Sequence, residues 1–154
     1  MITVYRIGKR KYSRDALSGS GGLFVGGRWH HKGVRIVYCP QHLSLASLEF
    51  LVHFQRLERA IELVSFDIEI PESLIEQLPT NQLPSDWNTT PPASSTADIG
   101  TDWLRSMRSA VLRVLSVLSS GEYNFLLNPA HPAASQIKVV AESPYRYDSR
   151  LWKT

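Results

Sequence analysis

The sequence predicts an α+β fold: one compact, strand-rich domain over residues 1–154 with one main helix. Three observations predict it: a long apolar segment with helical spacing, several short β-rich runs bounded by Gly and Pro, and a length of 154 residues that suits one core. ITVYRI, near the front, is rich in β-branched and aromatic residues and reads as a first strand. Positions 17–33, LSGSGGLFVGGRWHHKG, carry six glycines and read as a loop that bends sharply or lies close against something. VRIVY (34–38) is the next strand, ending at Cys39-Pro40. Ser44 is placed as the N-cap of a helix over 44–61, because Leu45, Leu48, Val52 and the row Phe50, Phe54, Leu57, Ile61 recur at helical spacing. VSFDIEI (64–70) alternates as a half-buried strand does. Residues 79–101, rich in Pro, Ser and Thr, read as a long surface connection or mobile flap. DWLRSM then forms a minor helix capped by Asp102, and AVLRVLSVL (110–118), YNFLLN and QIKVVA supply further strands.

Composition narrows the class. A lone cysteine, Cys39, excludes an intramolecular disulfide framework and a multi-Cys metal site, and it fits a reducing compartment. The front end lacks an apolar leader and no apolar run reaches about 18 residues, so a soluble cytoplasmic protein without membrane attachment is expected. The net charge of +3 hides two opposed regions. Before position 36 there are eight Lys or Arg against Asp15 alone, whereas Glu49 to Glu76 holds seven acids against Arg56 and Arg59. A basic front suits nucleic acid, a phosphate-bearing small ligand, or simple solvation.

There is no Walker loop, HExxH, paired CxxC or GxSxG, and the glycines do not form a GxGxxG fingerprint after a strand. The five histidines show no metal-ligand spacing, so no metal is expected. Arg28, in GGRWHHKG, lies where glycines let the backbone approach a ligand; its guanidinium either forks onto a phosphate or pairs with an acid. Trp29 beside it either stacks on a base or ribose or fills the core. Glu49 is the only acid among the large apolar side chains around it, which suits a structural salt bridge or a site needing a tuned charge. Tyr38 ends the preceding strand and projects toward the same place or packs with its hydroxyl satisfied. Ser116 interrupts the apolar row Leu112, Val114, Leu118 as a site hydroxyl or a backbone-bonded one.

Taken together, these segments resemble RES-domain proteins, named for an Arg, a Glu and a Ser. GGRWHHKGVRIVYCPQHLSLASLEFLVH matches the family's GGRWN-like turn, V-Y strand and A-x-x-E helix; LPSDW, VLSV, NFLLNPAHP and the DxRLW ending (Asp148 to Trp152) follow in order, end to end. His30 stands where that pattern has Asn, and Leu115 where many members have Pro. The resemblance implies a fold similar to ADP-ribosyltransferase toxins and the toxin half of a bacterial toxin-antitoxin pair. NAD would be its substrate, with no further cofactor. Carried over by motif, the site residues are Arg28, Tyr38, Glu49 and Ser116. Cleavage of the nicotinamide-ribose bond passes through an oxocarbenium-like state, which a carboxylate stabilises. Glu49 takes that role, Arg28 the pyrophosphate or a ribose phosphate, Tyr38 the nicotinamide or its ribose, and Ser116 orients Glu49 or a ribose hydroxyl. Water or phosphate as acceptor depletes NAD; a protein acceptor makes an ADP-ribosyltransferase. The resemblance further implies a homodimer and an Xre-like helix-turn-helix antitoxin that occludes the cleft and carries any DNA contact. A remoter reading, from Arg6 to Arg14 with Tyr5 and Tyr12 interleaved, is a nucleic-acid-binding or RNA-cleaving toxin.

Overall fold

The computed structural model describes residues 1–53 and 61–152. Its strands form two sheets. The first joins β1 (Ile2–Lys9), β3 (Leu63–Ile70) and β7 (Lys138–Tyr145) antiparallel, in the order β1-β3-β7. The second joins β2 (Val37–Pro40), β6 (Tyr123–Leu127), β5 (Val111–Leu115) and β4 (Ile75–Gln77) in the order β2-β6-β5-β4, with only β4 and β5 parallel. The alternation in β3 does what its pattern predicts: Val64, Phe66, Ile68 and Ile70 are buried in one cluster with Val37, Cys39, Phe125 and Leu127 of the second sheet. Among the described residues two α-helices complete the fold, α1 (Leu43–Val52) and α2 (Ser94–Ser106). Among the described residues no helix is long and apolar enough to cross a membrane.

Several boundaries differ from those expected. β2 is Val37–Pro40, not 34–38, because Ile36 N–H turns aside to Gly19 O at 3.4 Å and Arg35 reaches Ser18 O. As an edge strand it accommodates Pro40, which lacks the N–H a central position would need. Ser44 lies inside α1, whose N-cap is His42, and the extension of that helix through 54–60 lies outside the described residues. β5 stops at Leu115, since Ser116 Oγ accepts from Leu118 N–H and Ser119 N–H and turns the chain.

The largest correction concerns α2. The last third of the flap expected over 79–101 is helix: α2 begins at Ser94, and Asp102 sits exposed within it rather than capping it. Among the described residues α2 is therefore the longer helix, not a minor one. Its buried stripe is Thr96, Ala97, Gly100, Thr101, Trp103 and Leu104, which has helical periodicity but consists largely of small residues. Smallness is required, since a Cβ on Gly100 would sit 1.7 Å from Trp29 O. α2 and the glycine-rich loop thus lie close against one another, over the face of the second sheet formed by Leu112, Val114 and Leu126. The helix ends at Met107 in the left-handed region (φ 58°), where Asn128 Nδ2 donates to Leu104 O at 3.0 Å.

Candidate active site

Gly26-Gly27 open a tight turn in which Gly27 N–H donates to His30 O at 3.0 Å, so that Arg28 and Trp29 occupy its tip. Only glycine fits at 27: a Cβ there would lie 2.9 Å from the His30 ring and 3.0 Å from Tyr38 Oη. Two threonines of α2 anchor the turn's backbone, Thr96 Oγ1 donating to Arg28 O at 2.6 Å and Thr101 Oγ1 accepting from His31 N–H at 2.9 Å.

Tyr38 reaches this turn from β2 and completes a chain of hydrogen bonds. Trp29 N–H donates to Tyr38 Oη at 3.2 Å, Tyr38 Oη lies 2.7 Å from His30 Nδ1, and His30 Nε2 lies 2.7 Å from Val25 O. A carbonyl only accepts, so Nε2 carries the proton and Nδ1 receives the tyrosine hydroxyl's. Burial is the first cause acting on His30 and holds its pKa below the usual imidazole value, which agrees with a neutral ring; the Val25 carbonyl opposes the shift and His31 adds to it. Burial also raises the Tyr38 pKa; the bond from Trp29 opposes this, Glu49 adds to it and Arg28 opposes it. Tyr38 therefore stands protonated in the fields of both Arg28 and Glu49. Cys39, next in the strand, is fully buried with its thiol pushed up to about 12, and is no nucleophile.

Arg28 Nη1 donates to Trp87 O at 3.0 Å and Thr89 O at 2.9 Å, so the guanidinium is met by main-chain carbonyls rather than by an acid. Beside the turn, Gly26, Gly27, His30, Lys32 and the first residues of α2 border an open cleft of about 350 Å³. Glu49 projects from α1 to the second sheet, where Asn124 Nδ2 donates to its Oε1 at 3.0 Å. In the antiparallel register Asn124 faces Pro40 and Val114, while Tyr38 faces Leu126, two places along the same face. One sheet face therefore carries Tyr38 and the anchor of Glu49.

For two residues the sequence left two readings open, and the structure shows which contacts each makes. Trp29 is 2% exposed and packs in one cluster with Trp103, Leu112 and Leu126, so it is core and presents no face for stacking. Ser116 is 3% exposed and its Oγ binds its own turn, while the side chain bonded to Glu49 is Asn124. Sequence reasoning passed over Asn124, and it registered His30 only as a departure from a pattern. A signal existed for the first: a lone amide in the apolar run YNFLL.

The RES domain model matches residues 3–148. "Toxin Res" of Yersinia enterocolitica is 40% identical over 97% of this chain and 99% of its own length. "Prs ADP-ribosylating toxin" of Sphingobium sp. strain YBL2 is 37% identical over 92% of this chain and 90% of its own. The toxin-antitoxin complex MbcT-MbcA of M. tuberculosis includes a chain that superposes with a TM-score of 0.76, at 17% identity, over 94% of this chain and 84% of that one.

Proposed function

We propose a function from one premise: this chain belongs to the RES domain family. It is the toxin of a toxin-antitoxin pair and uses NAD, cleaving the bond between nicotinamide and ribose. The observation that carries the reading is the grouping of an arginine, a protonated tyrosine and an amide-held carboxylate about one turn and one sheet face, with Tyr38 feeling both charges. In the step, the C–N bond pair leaves with nicotinamide, whose ring nitrogen loses its positive charge, and positive charge develops on the ribose C1′ and ring oxygen. The Glu49 carboxylate stabilises that charge, an effect that grows toward the transition state and so speeds the reaction. Arg28 takes the pyrophosphate with its guanidinium, whose Nη1 is held by loop carbonyls in the free protein. Tyr38 lies against the nicotinamide-ribose end. The acceptor, water or phosphate, adds at C1′ and releases its proton.

A second reading keeps the same cleavage and gives C1′ to a protein side chain. It is favoured by the Sphingobium relative, which is named an ADP-ribosylating toxin. An antitoxin partner accords with the structural neighbour, which belongs to a toxin-antitoxin complex. An Xre-like type and occlusion of the site at Arg28 and Glu49 are proposed with it, and so is a homodimer, which static light scattering or sedimentation tests.

Purified protein mixed with NAD, with and without phosphate, is expected to release nicotinamide, and Glu49→Gln to lower the rate by about 100-fold or more while remaining folded. The accompanying product, ADP-ribose or its phosphate, identifies the acceptor. Wild-type rates in folded Glu49→Gln would overturn the assignment.

A further inference from the structure

Asn124 is poorly suited to stability alone. It lies across from Pro40 and Val114, next to Leu126 in the same row, and Pro40, Val114 and Leu126 are all buried. Asn124 itself is only 8% exposed. Its Nδ2 is bonded to Glu49, but its Oδ1 is a buried oxygen without a hydrogen-bond partner, the single such side-chain atom among the described residues. A buried acceptor left unmatched destabilises the fold, and an apolar side chain of similar volume would pack this row without that cost. The amide's orientation follows from charge: its N–H meets the carboxylate because two oxygens at 3.0 Å would repel. What Asn124 supplies, then, is its bond to Glu49. That bond ties a flexible side chain of α1 to the sheet face on which Tyr38 stands.

We propose that Asn124 is a positioning residue, whose amide holds the Glu49 carboxylate in the orientation that bond cleavage requires. The role rests on the reading of Glu49 as the carboxylate that acts on NAD. Asn124 itself does not touch the substrate. Among the described residues, Tyr38 of β2 lies in the field of this carboxylate and also in that of Arg28 from the glycine-rich turn.

Three variants assayed beside wild type test this: Asn124→Leu, Asn124→Ser and Asn124→Asp. Asn124→Leu is expected to unfold at or above the wild-type temperature yet lose about 10- to 100-fold in kcat for nicotinamide release, with KM for NAD changed by less than about threefold. Asn124→Ser, too short to reach Glu49, gives a similar loss. Asn124→Asp sets a second carboxyl against the first, so the acidic limb of its pH-rate profile moves up by about one unit or more. That shift reports that position 124 faces the titrating carboxylate, and the fall in kcat at nearly constant KM in folded Asn124→Leu is the readout that a structural role alone would not move. Should Asn124→Leu fail to fold, the serine and aspartate variants decide. Wild-type turnover in folded Leu or Ser variants, or an unmoved profile in Asn124→Asp, overturns the proposal. No nicotinamide from wild type under any condition overturns the NAD reading and the role of Asn124 with it, whereas release by wild type with indifferent variants overturns Asn124 alone.

Discussion

His30 is the residue whose protonation the fold constrains most visibly. Its Nδ1 accepts from Tyr38 and its Nε2 donates to Val25 O, so a second ring proton would have to displace the tyrosine hydroxyl's. The folded-state pKa is lowered from 6.5, chiefly by burial. The folded state therefore binds fewer protons than the unfolded one near that value: the stabilisation is complete above about pH 6.5 and is lost as pH falls below it. Denaturant unfolding between pH 8 and pH 5 should show wild type losing stability relative to His30→Gln, with a limiting slope of about 1.4 kcal/mol per pH unit for one proton. Parallel curves for the two proteins would exclude His30 as the source. At this scale the site was partly legible in sequence. Arg28, Tyr38 and Glu49 declare themselves through residue type and motif. Asn124 shows locally only as a lone amide in an apolar run, because its partner lies 75 positions away, and His30 acts through one of two ring tautomers, which no local pattern encodes.

Among the elements, α2 best shows how packing overrides composition. Ser94–Gly100 looks like loop because its inward residues, Thr96, Ala97 and Gly100, are small or polar. They are small because the helix lies against the backbone of Trp29, and polar at Thr96 and Thr101 because those hydroxyls bind the turn's carbonyl and amide. Gly100→Ala should cost about 3 kcal/mol or more, since the new carbon meets a carbonyl rather than a movable side chain. For a chain of 154 residues that is a fall in Tm of roughly 6 °C or more. Nicotinamide release should fall as well, because α2 and the Arg28 turn would be forced apart. A variant with unchanged Tm would show that the helix slides without cost. The strands were easier to read: the two-residue alternation of β3 and the β-branched content of β5 point to what they form, while β4 is too short, at three residues, to announce itself.

Across the whole molecule, the α+β class was legible because strand and helix periodicities differ, and the RES membership because the motifs run end to end. The division into two sheets was not, since nothing in a strand's own pattern says which partner lies beside it. One tertiary link joins distant parts of the chain in a way that touches ligand binding. Arg28 is bonded to the carbonyls of Trp87 and Thr89, 59 and 61 residues onward. An anion that drew the whole guanidinium to itself would take those carbonyls' partner, so occupancy and loop order trade against each other through one shared group. Hydrogen exchange of the 84–91 segment should then quicken when NAD is held by the slow Glu49→Gln protein, the reverse of the protection that bound ligands usually confer. Unchanged or slowed exchange there would mean that Arg28 serves both partners at once, through opposite edges of one planar cation.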